Sequence, residues 1–167
     1  IVPNGVDVEL LKASLAKHNR RKLRNEWGLH DRDFVLCTVA RLEQVKGQEY
    51  VIEAAARLKD SIPHLKLLLV GSGSDEFRLR KLVREKSIVE RVIFAGTVFD
   101  VTKALSASDV FVLPQTWEEG FGLSVAEAMI AGLPVVASGT GAIAKIIRDK
   151  ETGLLIRPGN VEDLTSA

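Results

Sequence analysis

Cysteine, net charge and long apolar runs are all scarce in this chain. One cysteine, Cys37, among 167 residues excludes an internal disulfide. Its place inside an apolar run marks a buried, inert thiol, which fits a reducing compartment. The 23 Lys and Arg nearly cancel the 22 Asp and Glu, for a net charge of +1. Nothing in that balance draws the chain to nucleic acid. No run approaches the ~20 apolar residues needed to cross a bilayer, and no signal peptide is recognised. The three histidines, His18, His30 and His64, are scattered and suggest no metal site. Internal repeats and low-complexity segments are also missing. The first residue is Ile1 rather than Met, in what reads as a loop. The expectation is a piece of a longer protein.

What is present is one domain's worth of chain, with 46% hydrophobic residues to build a core. Short apolar runs at 34–40, 65–70, 91–95, 109–113, 135–137 and 154–156 read as strands. Most are nearly continuous, as in strands buried on both faces of a parallel sheet. Helical patterns lie between them. Tyr50, Val51, Ala54, Ala55 and Leu58 recur at helical spacing, as do Phe77, Leu79, Leu82 and Val83. Shorter helices are expected around 101–105, 123–131 and 143–147. Gly132-Leu133-Pro134 stops the second of these. This alternation predicts a doubly wound, Rossmann-like α/β domain over 34–167, with helices on both faces of a parallel sheet. Residues 1–33 read as a lead-in loop and one helix, and Ala167 falls within a further helix.

Ligands of such sheets bind at the carboxyl ends of the strands. After the first strand comes Arg41-Leu42-Glu43-Gln44-Val45-Lys46-Gly47. Arg41 leaves the strand and Lys46 lies just before the next helix. Two cations beside a helix N-terminus suit a diphosphate, since the helix end adds roughly +0.5 charge. Solvated loop cations would look the same.

Two glycine-rich turns need weighing. Gly71-Ser72-Gly73-Ser74 follows the second strand. It lacks the Gly-Lys-Ser/Thr of a P-loop, and Glu76 stands where a dinucleotide fingerprint needs its third small residue. Gly71 and Gly73 therefore serve either a tight turn or a close approach to ligand. Gly139-Thr140-Gly141-Ala142-Ile143-Ala144 matches G-x-G-x-x-A after the fifth strand. A nicotinamide site normally uses the first strand and an acidic residue ~20 positions on. Here the following strand ends in Arg157-Pro158.

The loop after the fourth strand carries the most chemistry. Glu119 precedes Gly120-Phe121-Gly122, and a helix starts near Leu123. The glycines let backbone N–H groups approach a ligand, and the helix N-terminus points the same way. Glu127 lies about one turn into that helix, among Val125, Ala126, Ala128, Met129, Ile130 and Ala131. A carboxylate in such apolar company needs a partner or an open cleft.

These residues carry a resemblance. Glu119-x7-Glu127 within "EGFGLSVAEAM" resembles the E-x7-E motif of retaining glycosyltransferases of the GT-B fold, most closely family 4. "VARLEQVKG", "LLLVGSG", "VIFAGTV", "DVFVLPQTWEEGFGL", "GLPVVAS" and "ETGLLIRPGN" fall in that family's order and spacing, and "IVPNGVD" resembles the start of its C-terminal domain. The resemblance covers nearly the whole chain. It implies the donor-binding half of an enzyme that transfers a sugar from a nucleoside-diphosphate sugar to an acceptor hydroxyl. The acceptor-binding N-terminal domain is then absent from this sequence. Arg41, Lys46 and Glu119 take the catalytic roles, the two cations on the diphosphate and the acid on the sugar hydroxyls. Phe121, Gly122 and Leu123 present N–H groups, Glu127 holds the ribose, and Val98 and its neighbours meet the base. Gly71 and Gly73 complete the donor-binding set. A UDP-, GDP- or ADP-sugar is the expected donor. No metal is required, because no Asp-x-Asp pair sits at a suitable loop. Ala142 and Lys145 depart from the family's commoner glycine and glutamate.

Other readings are a phosphorylase or nucleotide-sugar epimerase of the same fold, or a non-catalytic nucleotide-binding module. The expected setting is cytoplasmic. The basic run from Lys17 to Arg24 offers a peripheral contact with an anionic membrane; a solvated helix face is the plainer account.

Overall fold

A computed structural model describes residues 5–118 and 120–167. Six parallel strands form one sheet in the order β3-β2-β1-β4-β5-β6. They are β1 (Phe34–Val39), β2 (Leu65–Val70), β3 (Val92–Gly96), β4 (Val110–Leu113), β5 (Val135–Ser138) and β6 (Leu154–Ile156). The chain begins in the middle, winds out to β3, and returns across β1 to wind the other way. The reversal falls between β1 and β4, which pair at Leu36–Val110 and Cys37–Phe111. Neighbouring loops diverge at such a point and leave a crevice.

The strands read as continuous apolar runs because both faces are covered. Leu67, Leu69, Val112 and Val136 pack under α3 (Gln48–Leu58), α4 (Glu76–Glu85) and α8 (Val161–Ser166). Their neighbours Phe111, Leu113, Val135 and Ala137 face α6 (Leu123–Ile130) and α7 (Ile143–Ile146). Leu68, Val70, Val35 and Cys37 continue that second face below α5 (Val101–Ala107). Cys37 is fully buried, and burial pushes its thiol up to about 12, so it stays protonated and inert.

Residues 5–33, the described part of the lead-in, differ from the reading above. They hold two helices, α1 (Val8–Leu15) and α2 (Arg20–Glu26), rather than one. The break is made by capping. Asp7 accepts from Leu10 N–H at 3.0 Å and Asn19 accepts from Lys22 N–H at 3.0 Å. Each side chain satisfies an N–H that no helical carbonyl can reach, so each starts a new helix.

The basic run is partly spent on structure. Arg24 is 3% exposed. It donates to the carbonyls of His30, Asp31, Asp33 and Ala107 and to Asp109 Oδ2 at 2.7 Å. Arg20 donates to Ser106 and Ser108 carbonyls and pairs with Asp109 Oδ1 at 2.5 Å. Together they cap the carboxyl end of α5, where cations are favoured. Asp109 also accepts the Val35 N–H at 2.8 Å, which ties this cluster to β1.

No helix of the described residues is long and apolar enough to cross a membrane.

Candidate functional site

A cavity of about 440 Å³ opens between the carboxyl ends of β1 and β4. It lies at the reversal of the sheet. Val39, Ala40 and Arg41 enter from β1, Lys46 from the turn before α3, and Leu113 from β4. Phe121, Gly122, Leu123, Ser124 and Glu127 close it from the start of α6.

The β1 loop is shaped by backbone contact. Leu42 is 1% exposed and acts as its anchor. Its N–H donates to Ser72 O at 3.0 Å, and its carbonyl accepts from Asp75 N–H at 3.0 Å. Gly71 and Gly73 press on the same loop. A Cβ at Gly71 would fall on the Ala40 carbonyl, and one at Gly73 on the Leu42 carbonyl. Gly71 has φ +128°, but Gly73 is outside the left-handed region, so its need for glycine is contact alone. Gly47 does the same on the other flank. It adopts φ +72°, and a Cβ there would meet the Pro114 carbonyl. Arg41 and Lys46 are thus presented from a loop wedged between the exits of β2 and β4.

The α6 end supplies N–H groups. Gly122 caps the helix in the left-handed region at φ 81°, ψ 46°, with no side-chain cap. The first helical bond is Ala126 N–H to Gly122 O at 3.1 Å. The N–H groups of Leu123, Ser124 and Val125 therefore have no acceptor among the described residues. They carry the positive end of the helix dipole into the cavity. Ile143 of α7 packs beneath Gly122, where a Cβ would lie 3.1 Å from its Cγ1.

Glu127 sits one turn further on. Its carboxylate has no hydrogen-bond or ion-pair partner among the described residues, and burial pushes it above its ordinary value of 4.5. Arg41 is 74% exposed and pairs with Glu43 at 2.7 Å. A pair whose arginine is this open to water contributes about 0–1 kcal/mol, so it yields easily to a stronger anion.

A second lobe of about 470 Å³ adjoins the first. Leu123 and Glu127 line both and form the waist between them. Ser14, Lys17, Phe99, Asp100 and Thr102 line the far side.

Of the residues named from sequence, Arg41, Lys46, Phe121, Gly122, Leu123 and Glu127 converge on one cavity. Gly71 and Gly73 stand behind the β1 loop rather than on the cavity wall. Val98 packs on the apolar cluster under α5, while its successors Phe99 and Asp100 reach the second lobe. Glu119 lies outside the described residues. Ser124 was missed, although it is the one hydroxyl lining the first lobe among the described residues. Its place directly after Leu123, in the first turn of α6, was the available signal.

Comparison with known proteins supplies the family. The family model for glycosyl transferases group 1 matches residues 19–167. This chain belongs to that family. D-inositol 3-phosphate glycosyltransferase of Pseudarthrobacter chlorophenolicus is 34% identical over 173 residues, covering 100% of this chain and 40% of that protein. HepE of Anabaena, solved with UDP and with UDP-glucose, superposes with a TM-score of 0.87 at 29% identity, over 98% of this chain and 44% of that one. The C-terminal domain of a glycosyl transferase group 1 protein from Francisella tularensis gives a TM-score of 0.82 at 25% identity, over 97% of this chain and 85% of that one. The chain spans about two fifths of the length of the curated relatives it matches. Its fold is the doubly wound sheet that forms one half of the GT-B architecture.

Proposed function

We propose that this group 1 glycosyltransferase domain binds a nucleoside-diphosphate sugar, as the donor half of a two-domain enzyme that transfers the sugar to an acceptor hydroxyl with retention. The observation that carries this is the convergence of Arg41, Lys46, the uncapped start of α6 and Glu127 on one crevice at the sheet reversal. Arg41 and Lys46 hold the diphosphate and stabilise the charge that grows on it as it leaves. The N–H groups at Leu123 and Ser124 serve the same oxygens. Glu127 accepts from the ribose hydroxyls at the waist, and the base occupies the second lobe past Phe99. Glu119 contacts the donor sugar. Catalysis by fixed donors of this kind needs no metal. HepE, with its bound UDP-glucose, makes a UDP-sugar the first donor to try. A cytoplasmic setting fits the single buried thiol. Lys17, Arg21 and Lys22 are exposed cations of the basic run available to an anionic membrane surface.

Thermal stability against UDP, GDP, ADP and their sugars tests this reading. Ligand at ~100 times its dissociation constant adds about 2.7 kcal/mol, or about 5–10 °C for a domain of this size. Melting that is unmoved by all of them at millimolar concentration would sink the proposal. A shift with nicotinamide dinucleotides instead would replace it.

Glu127→Gln separates stability from binding. The Glu127 carboxyl is raised by burial, so its contribution to stability is full below the unfolded value and lost as pH rises through the folded one. The variant should melt above the parent at pH 7–8, with the gap closing by about pH 4. The same variant should gain less from nucleotide. A lower melting point at pH 8 would contradict the desolvation account.

A further inference from the structure

Gln48 opens α3, and its side chain is 1% exposed. It does not line the cavity. It folds back over the turn at 44–46, and its Nε2 donates to the Arg41 carbonyl at 2.8 Å. A carbonyl can only accept, so this bond fixes which way the amide faces. Oε1 is left buried with no partner among the described residues. A buried acceptor without a donor is a desolvation cost. If this position had only to fill space, leucine would fill it without that cost.

The bond does something the rest of the loop does not. Among the described residues, Gln48 is the only buried side chain that bonds to the segment 40–47. The other buried ties are backbone contacts at Leu42 and Gly47. The Arg41 side chain is exposed and, among the described residues, is held only by the half-buried carboxylate of Glu43. The Arg41 peptide is therefore what can be fixed, and Gln48 joins it directly to the start of α3, two residues beyond Lys46.

We propose that Gln48 is a positioning residue for donor binding, its buried amide tying Arg41 to the head of α3 so that Arg41 and Lys46 meet a diphosphate at a set separation. This rests on the donor-binding reading given above. The role is confined to the diphosphate. The nucleoside lobe and the α6 end are built from other elements and do not feel it.

Calorimetric titration of the parent and of Gln48→Leu with UDP and with UMP decides the matter, with GDP and GMP or ADP and AMP used if the parent prefers them. The variant should keep its melting point within about 3 °C. It should lose about tenfold in affinity for the diphosphate and less than about twofold for the monophosphate, which reaches only part of the seat. Gln48→Glu keeps the shape but replaces the donor with a carboxylate. Its diphosphate affinity relative to the parent should be low at pH 8 and recover toward pH 5, where a buried carboxyl regains its proton and can donate. Equal losses for di- and monophosphate, or unchanged diphosphate affinity in both variants, would overturn the proposal. A parent that binds no nucleoside diphosphate would instead remove the donor-binding reading, and this role with it.

Discussion

Lys46→Ala is expected to weaken nucleoside-diphosphate binding by about 10–100-fold, since a hydrogen bond to a charged group is worth about 1.5–3 kcal/mol. Lys46 lines the cavity between the Arg41 loop and the start of α6. A diphosphate there faces two cations and N–H groups with no acceptor among the described residues, in a crevice whose one described carboxylate is the partly buried Glu127. Removing Lys46 takes away the cation at the head of α3. Arg41→Ala should cost less, because that side chain is 74% exposed. Titration at 50 and 200 mM salt distinguishes contact from general attraction. A contact persists, whereas attraction over more than about 10 Å is screened. The nucleoside without phosphates should bind both proteins alike. In a full two-domain enzyme the same change should lower turnover by about 10²–10³, as loss of one fixed donor does elsewhere. Parent-like diphosphate affinity in Lys46→Ala would mean that the anion sits elsewhere.

The second large effect lies at the opposite end of the sheet. Asp109→Ala should destabilise the fold by about 3–5 kcal/mol, the usual cost of leaving a buried charge without its partner. Arg24 is 3% exposed and has Asp109 as its carboxylate. Its bonds to four backbone carbonyls hold it in place after the change, so the charge cannot retreat to water. Val35 would also lose the acceptor of its N–H. A fall in melting temperature on the order of 10 °C follows, measured by circular dichroism on the ligand-free domain. Asp109→Asn should recover part of it, because its carbonyl oxygen still accepts from Val35 or Arg24. A loss below about 1 kcal/mol would show that water reaches Arg24 and replaces the ion pair.

The strands were readable because a sheet covered on both faces leaves little choice of residue. Leu67, Leu68 and Leu69 could not be surface in any arrangement. Glu127 stood out for the opposite reason, as a charge that its apolar neighbours do not explain; Arg41 and Lys46 stood out only by their place beside a helix N-terminus and by the family resemblance. Glycine was harder. Gly71 and Gly73 announced a tight approach, but not what approached; the backbone of the β1 loop lies against both. The capping acceptors Asp7 and Asn19 were in plain view, yet the basic residues after Asn19 blurred the break into one helix. Gln48 gave no signal. A glutamine in the first turn of a helix is ordinarily solvated, and only the packing of the β2 and β4 exits around the loop encloses it.

The β1 loop is braced on one flank by Gly71 and Gly73 and on the other by Gly47 against Pro114, main chain to main chain. Braces of that kind have no side chains to drift. Ser72, Ser74, Thr116 and Trp117 stand exposed on the rims of the same turns, and their side chains are no part of that main-chain bracing. On the proposed reading, the loop that grips the diphosphate is set by main chain, and the side chains around it are left to meet whatever the rest of the donor presents.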